Sequence, residues 1–207
     1  MIPALYKRLF RARKPPPIIV VSGLPRSGTS MAMQMLAAGG IEVMADRLRQ
    51  ADTDNPRGYF EFEPVKALAE ADATPWLDAA HGKAVKIISH LLPYLPANHI
   101  YKILFMERHL QEVLASQKRM LEHLGRPLDT TDDAAMATQF TRHLGQVKAW
   151  LRAQSHIDVL YIRHAEILAE PPAAAERIQA FLGKPLQREA MVAEVQPHLY
   201  RNRATDN

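Results

Sequence analysis

Residues 22–30 combine glycines, hydroxyl side chains and one arginine in a pattern that suits anion binding. The run Ser-Gly-Leu-Pro-Arg-Ser-Gly-Thr-Ser follows residues 18–21, whose apolar and β-branched side chains predict a short buried strand. From Thr29 the apolar spacing predicts a helix. A strand, a glycine loop and a helix turn several backbone N–H groups and the positive end of the helix dipole towards one point. The stretch therefore predicts a phosphate or sulfate site.

The loop resembles the P-loop of nucleotide hydrolases in its glycine spacing but lacks the lysine of that motif. Gly23 and Gly28 bracket four residues, and Thr29-Ser30 follow where the P-loop motif has Gly-Lys-Ser/Thr. The only cation of the loop is Arg26, which lies inside it. On the loop alone, a divergent ATP or GTP site stays open as an alternative.

A closer resemblance is to the 5′-phosphosulfate loop of sulfotransferases that use 3′-phosphoadenosine-5′-phosphosulfate (PAPS). It is carried by Pro25-Arg26-Ser27-Gly28-Thr29-Ser30, which is most similar to the Pro-Arg-Ser-Gly-Thr-Thr form of tyrosylprotein and many bacterial sulfotransferases. The resemblance implies that these residues bind PAPS as co-substrate. Arg26 would stabilise the charge on the oxygen that bridges sulfur and phosphorus, and Thr29 and Ser30 would donate hydrogen bonds to the 5′-phosphate.

A second anion site is predicted where Arg108 ends a strand and Ser116 follows eight residues later. Eight residues is close to a whole number of helical turns, so Ser116 returns to the side on which Arg108 emerges. An arginine fork and a hydroxyl together suit a phosphate. The pair resembles the 3′-phosphate motif of the same sulfotransferases, which implies that it binds the 3′-phosphate of PAPS. A helix-start arginine and a buried small residue are the alternative reading of the two positions.

His164 lies in a third stretch with a family resemblance. Residues 161–171 are similar to the Tyr-Glu-Asp-Leu segment of sulfotransferases, whose tyrosine stacks against adenine. Here His164 stands in place of that tyrosine. The resemblance implies that its imidazole stacks on the adenine with a smaller face.

Two residues are candidates for the general base that deprotonates the acceptor. His90 lies in Ser-His-Leu-Leu-Pro, which resembles the Thr-His-Leu-Pro segment of cytosolic sulfotransferases, whose histidine is the base. Histidine also suits proton transfer at neutral pH. The lysine that stands two positions before this histidine in the relatives is Ile88 here. Asp46 is the second candidate, because tyrosylprotein-type enzymes place a carboxylate after the first helix. The alternative for His90 is a structural capping role.

Strands that alternate with helices predict an α/β fold, a three-layer sandwich whose mostly parallel central sheet is covered on both faces. The resemblance implies that this fold is P-loop NTPase-like. Residues 1–17 are expected to be a basic N-terminal segment and residues 18–207 a single sulfotransferase-like domain. Ligands of such sheets bind beyond the carboxyl ends of the strands, which predicts residues 22–30, His90, Arg108 and His164 along one edge. The strands are predicted at 18–21, 41–44, 84–89, 100–106 and 157–162, and the helices at about 1–14, from 29 to the Gly39-Gly40 pair, and at 64–72, 110–123, 133–154, 171–181 and 187–195.

Composition limits the remaining possibilities. The 207 residues include no cysteine, which excludes disulfides and thiolate metal sites, and no convincing metal-ligand cluster is visible, so no metal is predicted. No apolar run approaches the length of a membrane span, and residues 1–10 do not resemble a secretory signal, so a cytoplasmic location is expected. The net charge of +4 is explained by a polyanionic co-substrate, and no nucleic-acid partner is predicted. The basic residues among positions 1–14 predict either a solvated helix or peripheral contact with an anionic membrane.

These observations favour a PAPS-dependent sulfotransferase that acts on a hydroxyl or amine of a small-molecule, glycan or lipid acceptor. An ATP-dependent small-molecule kinase is a second hypothesis, but it would need a Walker lysine and a carboxylate for magnesium, and the lysine is missing. A nucleotide-binding relative of the fold without catalysis is a third. The identity of the acceptor and the oligomeric state stay open at this point.

Overall fold

A computed structural model describes residues 15–46, 58–70, 75–123, 125 and 132–196. In these ranges five strands form one sheet of order β2-β3-β1-β4-β5, in which every neighbouring pair is parallel. The strands are β1 (Ile18–Gly23), β2 (Val43–Met44), β3 (Ala84–Lys86), β4 (Tyr101–Glu107) and β5 (Ile157–Arg163). The helices are α1 (Thr29–Ala38), α2 (Trp76–Ala79), α3 (Leu110–His123), α4 (Asp133–Arg152), α5 (His164–Ala169), α6 (Pro171–Leu182) and α7 (Arg188–Ala193), with 3₁₀ helices at Glu63–Ala67 and Ser89–Tyr94.

The side chains of β1 alternate between two hydrophobic layers, one on each face of the sheet. Ile19 and Val21 pack with apolar residues of α1, α6 and α7. Ile18 and Val20 pack on the other face, with residues of α2 and α4. Because both faces are covered, β1 is buried throughout and apolar from Ile18 to Val21, as a central parallel strand requires. The predicted three-layer sandwich with a parallel sheet is therefore confirmed.

The first helix ends where its glycine pair predicts. Gly40 has a φ of 92°, and its N–H donates to the carbonyl of Ala37, while the N–H of Ile41 reaches back to the carbonyl of Leu36. These two bonds define a Schellman motif, in which glycine takes the left-handed position without steric cost. The start of α4 also agrees with prediction, since the Asp132 carboxylate accepts a hydrogen bond from the N–H of Ala134 at 3.3 Å.

The structure differs from the sequence predictions in several short elements. The helix predicted over 64–72 is a 3₁₀ helix, Glu63–Ala67, in which only Val65 is buried, too little apolar surface to support a longer amphipathic helix. The short helices α2 and α5, of four and six residues, were not predicted, because each is too short to produce a hydrophobic period. The helix predicted over 1–14 and most of the connection over 45–63 lie outside the described residues.

No helix in the described part of the chain combines the length and the apolar composition that a bilayer crossing requires.

Candidate active site

The glycine loop follows β1 directly and has the backbone geometry of an anion-binding turn. Gly23, Arg26 and Gly28 all have positive φ, at 145°, 71° and 100°. The N–H of Ser27 closes the turn on the carbonyl of Leu24 at 3.1 Å. A Cβ atom at Gly23 would lie 2.5 Å from Ser27 Oγ and 2.6 Å from the Met106 carbonyl oxygen, so only glycine fits there. A positive φ at a non-glycine residue such as Arg26 is uncommon and is concentrated at functional sites.

Two serine hydroxyls at this loop and the first turn of α1 lack the side-chain partners that buried polar groups normally have. No side chain of the described residues caps the first turn of α1, whose N-cap is Gly28. The hydroxyl oxygens of Ser22 and Ser27 are buried and have no hydrogen-bond partner among the described residues. Buried hydroxyls and free helix-start N–H groups are the donors that an anion satisfies. The loop therefore fits a phosphate or phosphosulfate group.

The side chain of Arg26 contacts the second predicted anion site. Its Nε donates to Ser116 Oγ at 3.0 Å, across 90 positions of the chain. Arg108 Nη1 donates to the carbonyl oxygen of Arg26 at 3.1 Å. Arg108 and Ser116 thus both face the loop that holds Arg26, and the three residues predicted from two separate motifs form one cluster.

Glu112 completes this cluster and was not singled out from the sequence. Arg108 Nε donates to Glu112 Oε2 at 2.9 Å, and the two side chains are only 10% and 7% exposed. A buried carboxylate at this distance fixes the orientation of the guanidinium and leaves its other N–H groups for the loop. The signal was present in the sequence as the spacing of four residues between Arg108, just before α3, and Glu112 in its first turn.

His164 begins α5 and packs against the loop. A Cβ atom at Gly28 would lie 2.6 Å from His164 Cδ2, so the imidazole edge rests on this glycine. Only 8% of His164 is exposed, and burial lowers its pKa to about 4, with the positive charge of Arg108 adding to the effect. The ring is therefore neutral at neutral pH. Its place beside the loop is compatible with the implied adenine contact, which stays a prediction.

Gly28→Ala is expected to destabilise the protein by about 2–4 kcal/mol, because it adds a clash with His164 to the strain of a positive φ. Gly40→Ala is the matched control. Gly40 has a similar φ of 92°, but the nearest atom to its added Cβ is Gln187 Nε2 at 3.9 Å, so only the backbone strain remains. Urea unfolding of both variants measures the difference. Equal losses of stability would contradict the packing of His164 on the loop.

His90 lies at the same edge of the sheet, in the 3₁₀ helix that follows β3. It is exposed, whereas the preceding Ser89 is buried and its Oγ lies 2.8 Å from Nε2 of His143 on α4. Burial lowers the pKa of His143, and the charge of the neighbouring His90 lowers it further. The two imidazoles are therefore close enough to interact. No local sequence pattern indicates His143, because the folding of α4 onto the 3₁₀ helix brings it here.

Asp46 follows β2, which is separated from β1 by β3. Its carboxylate accepts a hydrogen bond from the N–H of Glu63, at the start of a 3₁₀ helix, and its own N–H donates to the carbonyl of Glu61 at 3.0 Å. With neighbouring strands ~4.8 Å apart, the end of β2 lies roughly 10 Å to the side of β1. Asp46 thus has a structural role at the start of the 3₁₀ helix. It follows β2, which lies farther from β1 and the glycine loop than β3, the strand that precedes His90.

The remaining loop residues are distributed around the anion site. Pro25 is exposed at the tip of the turn, Ser30 is half-buried, and Thr29 is 7% exposed in the first turn of α1. The loop residues, His90, Arg108 and His164 all follow the carboxyl ends of adjacent strands β3, β1, β4 and β5, so the predicted gathering along one edge is confirmed. The role of each residue in binding or catalysis stays a prediction.

A parallel α/β sandwich places this loop and this arginine–serine pair at one edge of its sheet. The family model described as Sulfotransferase domain matches residues 16–203, and the chain belongs to this family. The resemblance stated from the sequence motifs is therefore confirmed.

Individual relatives are distant. Sulfotransferase 2B1 from Homo sapiens is 24% identical over 197 residues, covering 84% of this chain and 48% of that protein, so the chain spans about half the length of this curated relative. Among solved structures, sulfotransferase STF1 from Mycobacterium tuberculosis has a TM-score of 0.55 at 19% identity, with 92% of this chain and 74% of that chain covered. Mouse sulfotransferase SULT7A1, complexed with PAP (3′-phosphoadenosine-5′-phosphate), has a TM-score of 0.54 at 18% identity, with 93% of this chain and 66% of that chain covered. These similarities support the fold.

Proposed function

We propose that the protein is a sulfotransferase that moves a sulfuryl group from PAPS to a hydroxyl or amine of an acceptor. The observation that carries the proposal is the contact of Arg26 with Ser116, joined by the bond from Arg108 to the Arg26 carbonyl. A nucleotide with phosphates at both the 5′ and 3′ positions needs two neighbouring anion sites. This cluster provides a loop with free N–H groups and an arginine–hydroxyl pair directly beside it.

The residues present fit the two ends of such a nucleotide. The loop from Pro25 to Ser30, with its buried Ser27 hydroxyl, would hold the 5′-phosphosulfate. Arg108 and Ser116 would hold the 3′-phosphate, which would replace the hydrogen bond that Ser116 now makes with Arg26. His164 would contribute to the adenine side. The mouse relative is a PAP complex, which supports this choice of nucleotide.

The chemistry is an in-line displacement at sulfur. The acceptor oxygen or nitrogen forms a bond to sulfur while the bond from sulfur to the bridging oxygen breaks, and the electron pair of that bond stays on the departing nucleotide. Negative charge therefore grows on the bridging oxygen, where the Arg26 guanidinium and the loop N–H groups would stabilise it. Arginine stays charged throughout, so Arg26 acts as an electrostatic clamp. The proton of the acceptor passes to a base, and the scheme requires no metal.

We assign the base to His90, with Asp46 as the alternative. His90 follows β3, which pairs directly with β1, whereas Asp46 follows the next strand out. His90 is exposed and open to an acceptor, while the Asp46 carboxylate accepts the N–H of Glu63. A base must reach the proton that it removes, so position favours the histidine.

Calorimetry with the untagged chain tests the nucleotide choice. PAP, adenosine 5′-phosphate and ATP with magnesium are titrated in turn, and labelled PAPS is then supplied with pools of phenols, sterols, sugars and peptides. We expect PAP to bind more tightly than adenosine 5′-phosphate by at least about tenfold, as a charged hydrogen-bonded phosphate contributes about 1.5–3 kcal/mol. Equal affinities would overturn the proposal. A preference for ATP with magnesium would favour a kinase, and tight PAP binding without transfer would favour a binding protein.

Ser116→Ala is expected to weaken PAP binding by about 10-fold while leaving the affinity for adenosine 5′-phosphate almost unchanged, because the lost hydroxyl faces only the 3′-phosphate in this scheme. Ser155→Ala, at an exposed serine before β5, is the matched control and should bind both nucleotides normally. Parallel titrations give the ratio of affinities for each variant. A uniform loss for both nucleotides in Ser116→Ala would show that the serine supports the loop rather than the 3′ site.

The acceptor class, a small molecule, glycan or lipid, is part of the proposal. So is the cytoplasmic location, together with peripheral membrane contact through residues 1–14, which lie outside the described residues. The absence of a nucleic-acid partner and the division of the chain at residue 17 stay predictions. At that boundary, the Pro16 carbonyl accepts a hydrogen bond from His81 Nδ1, and the Pro17 carbonyl accepts one from the Gly82 N–H. These two hydrogen bonds attach the prolines to the domain.

A further inference from the structure

Two histidines and an aspartate meet at the edge of the sheet opposite the glycine loop. Asp78 lies in α2, His81 follows three residues later, and His99 precedes β4 by two residues. One side-chain ligand atom from each lies within 4.8 Å of the other two. The motifs of the proposed transferase site do not include any of these residues. The spacing of 18 residues between the two histidines gives no recognisable metal-binding pattern in the sequence.

The two imidazoles are arranged as metal ligands are. His81 Nε2 and His99 Nδ1 are 3.2 Å apart. Two nitrogens bound to one tetrahedral zinc at ~2.0–2.1 Å are separated by about 3.3 Å, so the observed spacing leaves room for the ion with little movement. The Asp78 carboxylate is exposed and can rotate towards the same point.

A neighbouring carbonyl fixes the tautomer of His81. Nδ1 of His81 lies 2.8 Å from the carbonyl oxygen of Pro16. A carbonyl only accepts, so Nδ1 carries the proton and Nε2 presents its lone pair towards His99. A ligating histidine whose second nitrogen donates to a backbone carbonyl is the usual arrangement around protein-bound metals.

The chemistry of the three ligands also suits a cation. An ion would take the place of the proton that His99 Nδ1 donates to His81 Nε2 across their contact. Two nitrogens and one carboxylate oxygen favour zinc and its neighbours over calcium or magnesium, which prefer oxygen ligands.

We propose that Asp78, His81 and His99 bind one Zn²⁺ ion, with water as the fourth ligand on the exposed side. The ion joins α2 and the residues after it to the chain before β4, and the hydrogen bond from His81 to the Pro16 carbonyl connects them to the chain before β1. The six residues of β1 separate this edge from the glycine loop by about 20 Å. The ion is therefore structural, and sulfuryl transfer is still predicted to need no metal.

The untagged full-length chain, stripped with a chelator and dialysed, tests the proposal by calorimetric titration with ZnCl₂ and by thermal unfolding. We expect one saturable site per chain and a rise in Tm of roughly 5–10 °C at zinc concentrations near 100 times Kd. Cobalt(II) added in place of zinc should give the visible absorption bands of a four-coordinate ion.

Variants distinguish this site from adventitious binding by other histidines. His81→Gln and Asp78→Asn should each weaken zinc binding strongly, by at least about 100-fold for the histidine, and should abolish the gain in Tm. His123→Gln and Asp158→Asn, at exposed positions elsewhere, are the matched controls and should bind normally. His99 is buried, so circular dichroism of its glutamine variant must first show a native fold. A folded parent chain without saturable binding, or unchanged binding in His81→Gln and Asp78→Asn, overturns the proposal.

Discussion

Replacing Arg26 with alanine is expected to lower kcat for sulfuryl transfer by about 10³-fold. Loss of one group that stabilises a developing oxyanion typically costs 10²- to 10³-fold in kcat, and Arg26 provides a full charge at that place. Its effect on PAPS affinity should be smaller, because the charge on the bridging oxygen develops only as the bond to sulfur breaks.

The position of Arg26 explains why its side chain is difficult to replace. The residue has a φ of 71°, and its carbonyl is held by Arg108 while its Nε reaches Ser116. The backbone at Arg26 is thus held by Arg108 before any nucleotide binds. The 3′-phosphate would release the guanidinium from Ser116, and its charge would then stabilise the bridging oxygen.

Two further variants separate charge from backbone strain. Arg26→Asn removes the charge but suits a positive φ, so it should lose as much activity as the alanine variant while folding more stably. Arg152→Ala, at an exposed arginine at the end of α4, should keep normal turnover. Single-turnover rates with labelled PAPS measure the chemical step. A fall in kcat of less than tenfold in both Arg26 variants would remove this residue from transition-state stabilisation.

The fold was predictable because its strongest determinants are local. The apolar run of β1 and the glycine pair after α1 each act within a few residues, and the structure has both as expected. Elements that depend on tertiary packing were not predictable. The helix at 164–169 is too short to show a period, and the 3₁₀ helix at Glu63–Ala67 was predicted as a longer helix over 64–72.

The candidate site divides in the same way. Arg26, Arg108 and Ser116 could be predicted because each belongs to a motif with fixed spacing, and their convergence followed from the parallel sheet. Glu112 was visible only as a spacing of four residues from Arg108 at the start of a helix, a pattern too common to be specific. His143 could not be predicted, because its contact with Ser89 spans 54 positions and depends on how α4 packs.

His90→Ala is expected to lower kcat by about 10²- to 10⁴-fold while PAP affinity stays within a factor of about two, because a general base acts on the acceptor and not on the nucleotide. Steady-state kinetics and calorimetry on the same preparation give both values.

Comparison with other positions decides between the candidate bases. Asp46→Asn keeps an acceptor for the Glu63 N–H, so it should fold normally and retain most of its turnover if His90 is the base. His143→Gln changes the neighbour that contacts Ser89, and it should alter the pH profile without abolishing turnover. His123→Ala, at an exposed histidine at the end of α3, should behave as the parent.

Added imidazole provides the most direct test of the role of His90. A small base in solution can enter the space left by the alanine side chain, because His90 is exposed at the sheet edge rather than buried as His164 is. Imidazole should therefore restore part of the activity of His90→Ala and none of that of Arg26→Ala, in which the missing group is a fixed charge. Normal turnover in His90→Ala, combined with a loss in Asp46→Asn, would instead assign the base to the carboxylate beyond β2.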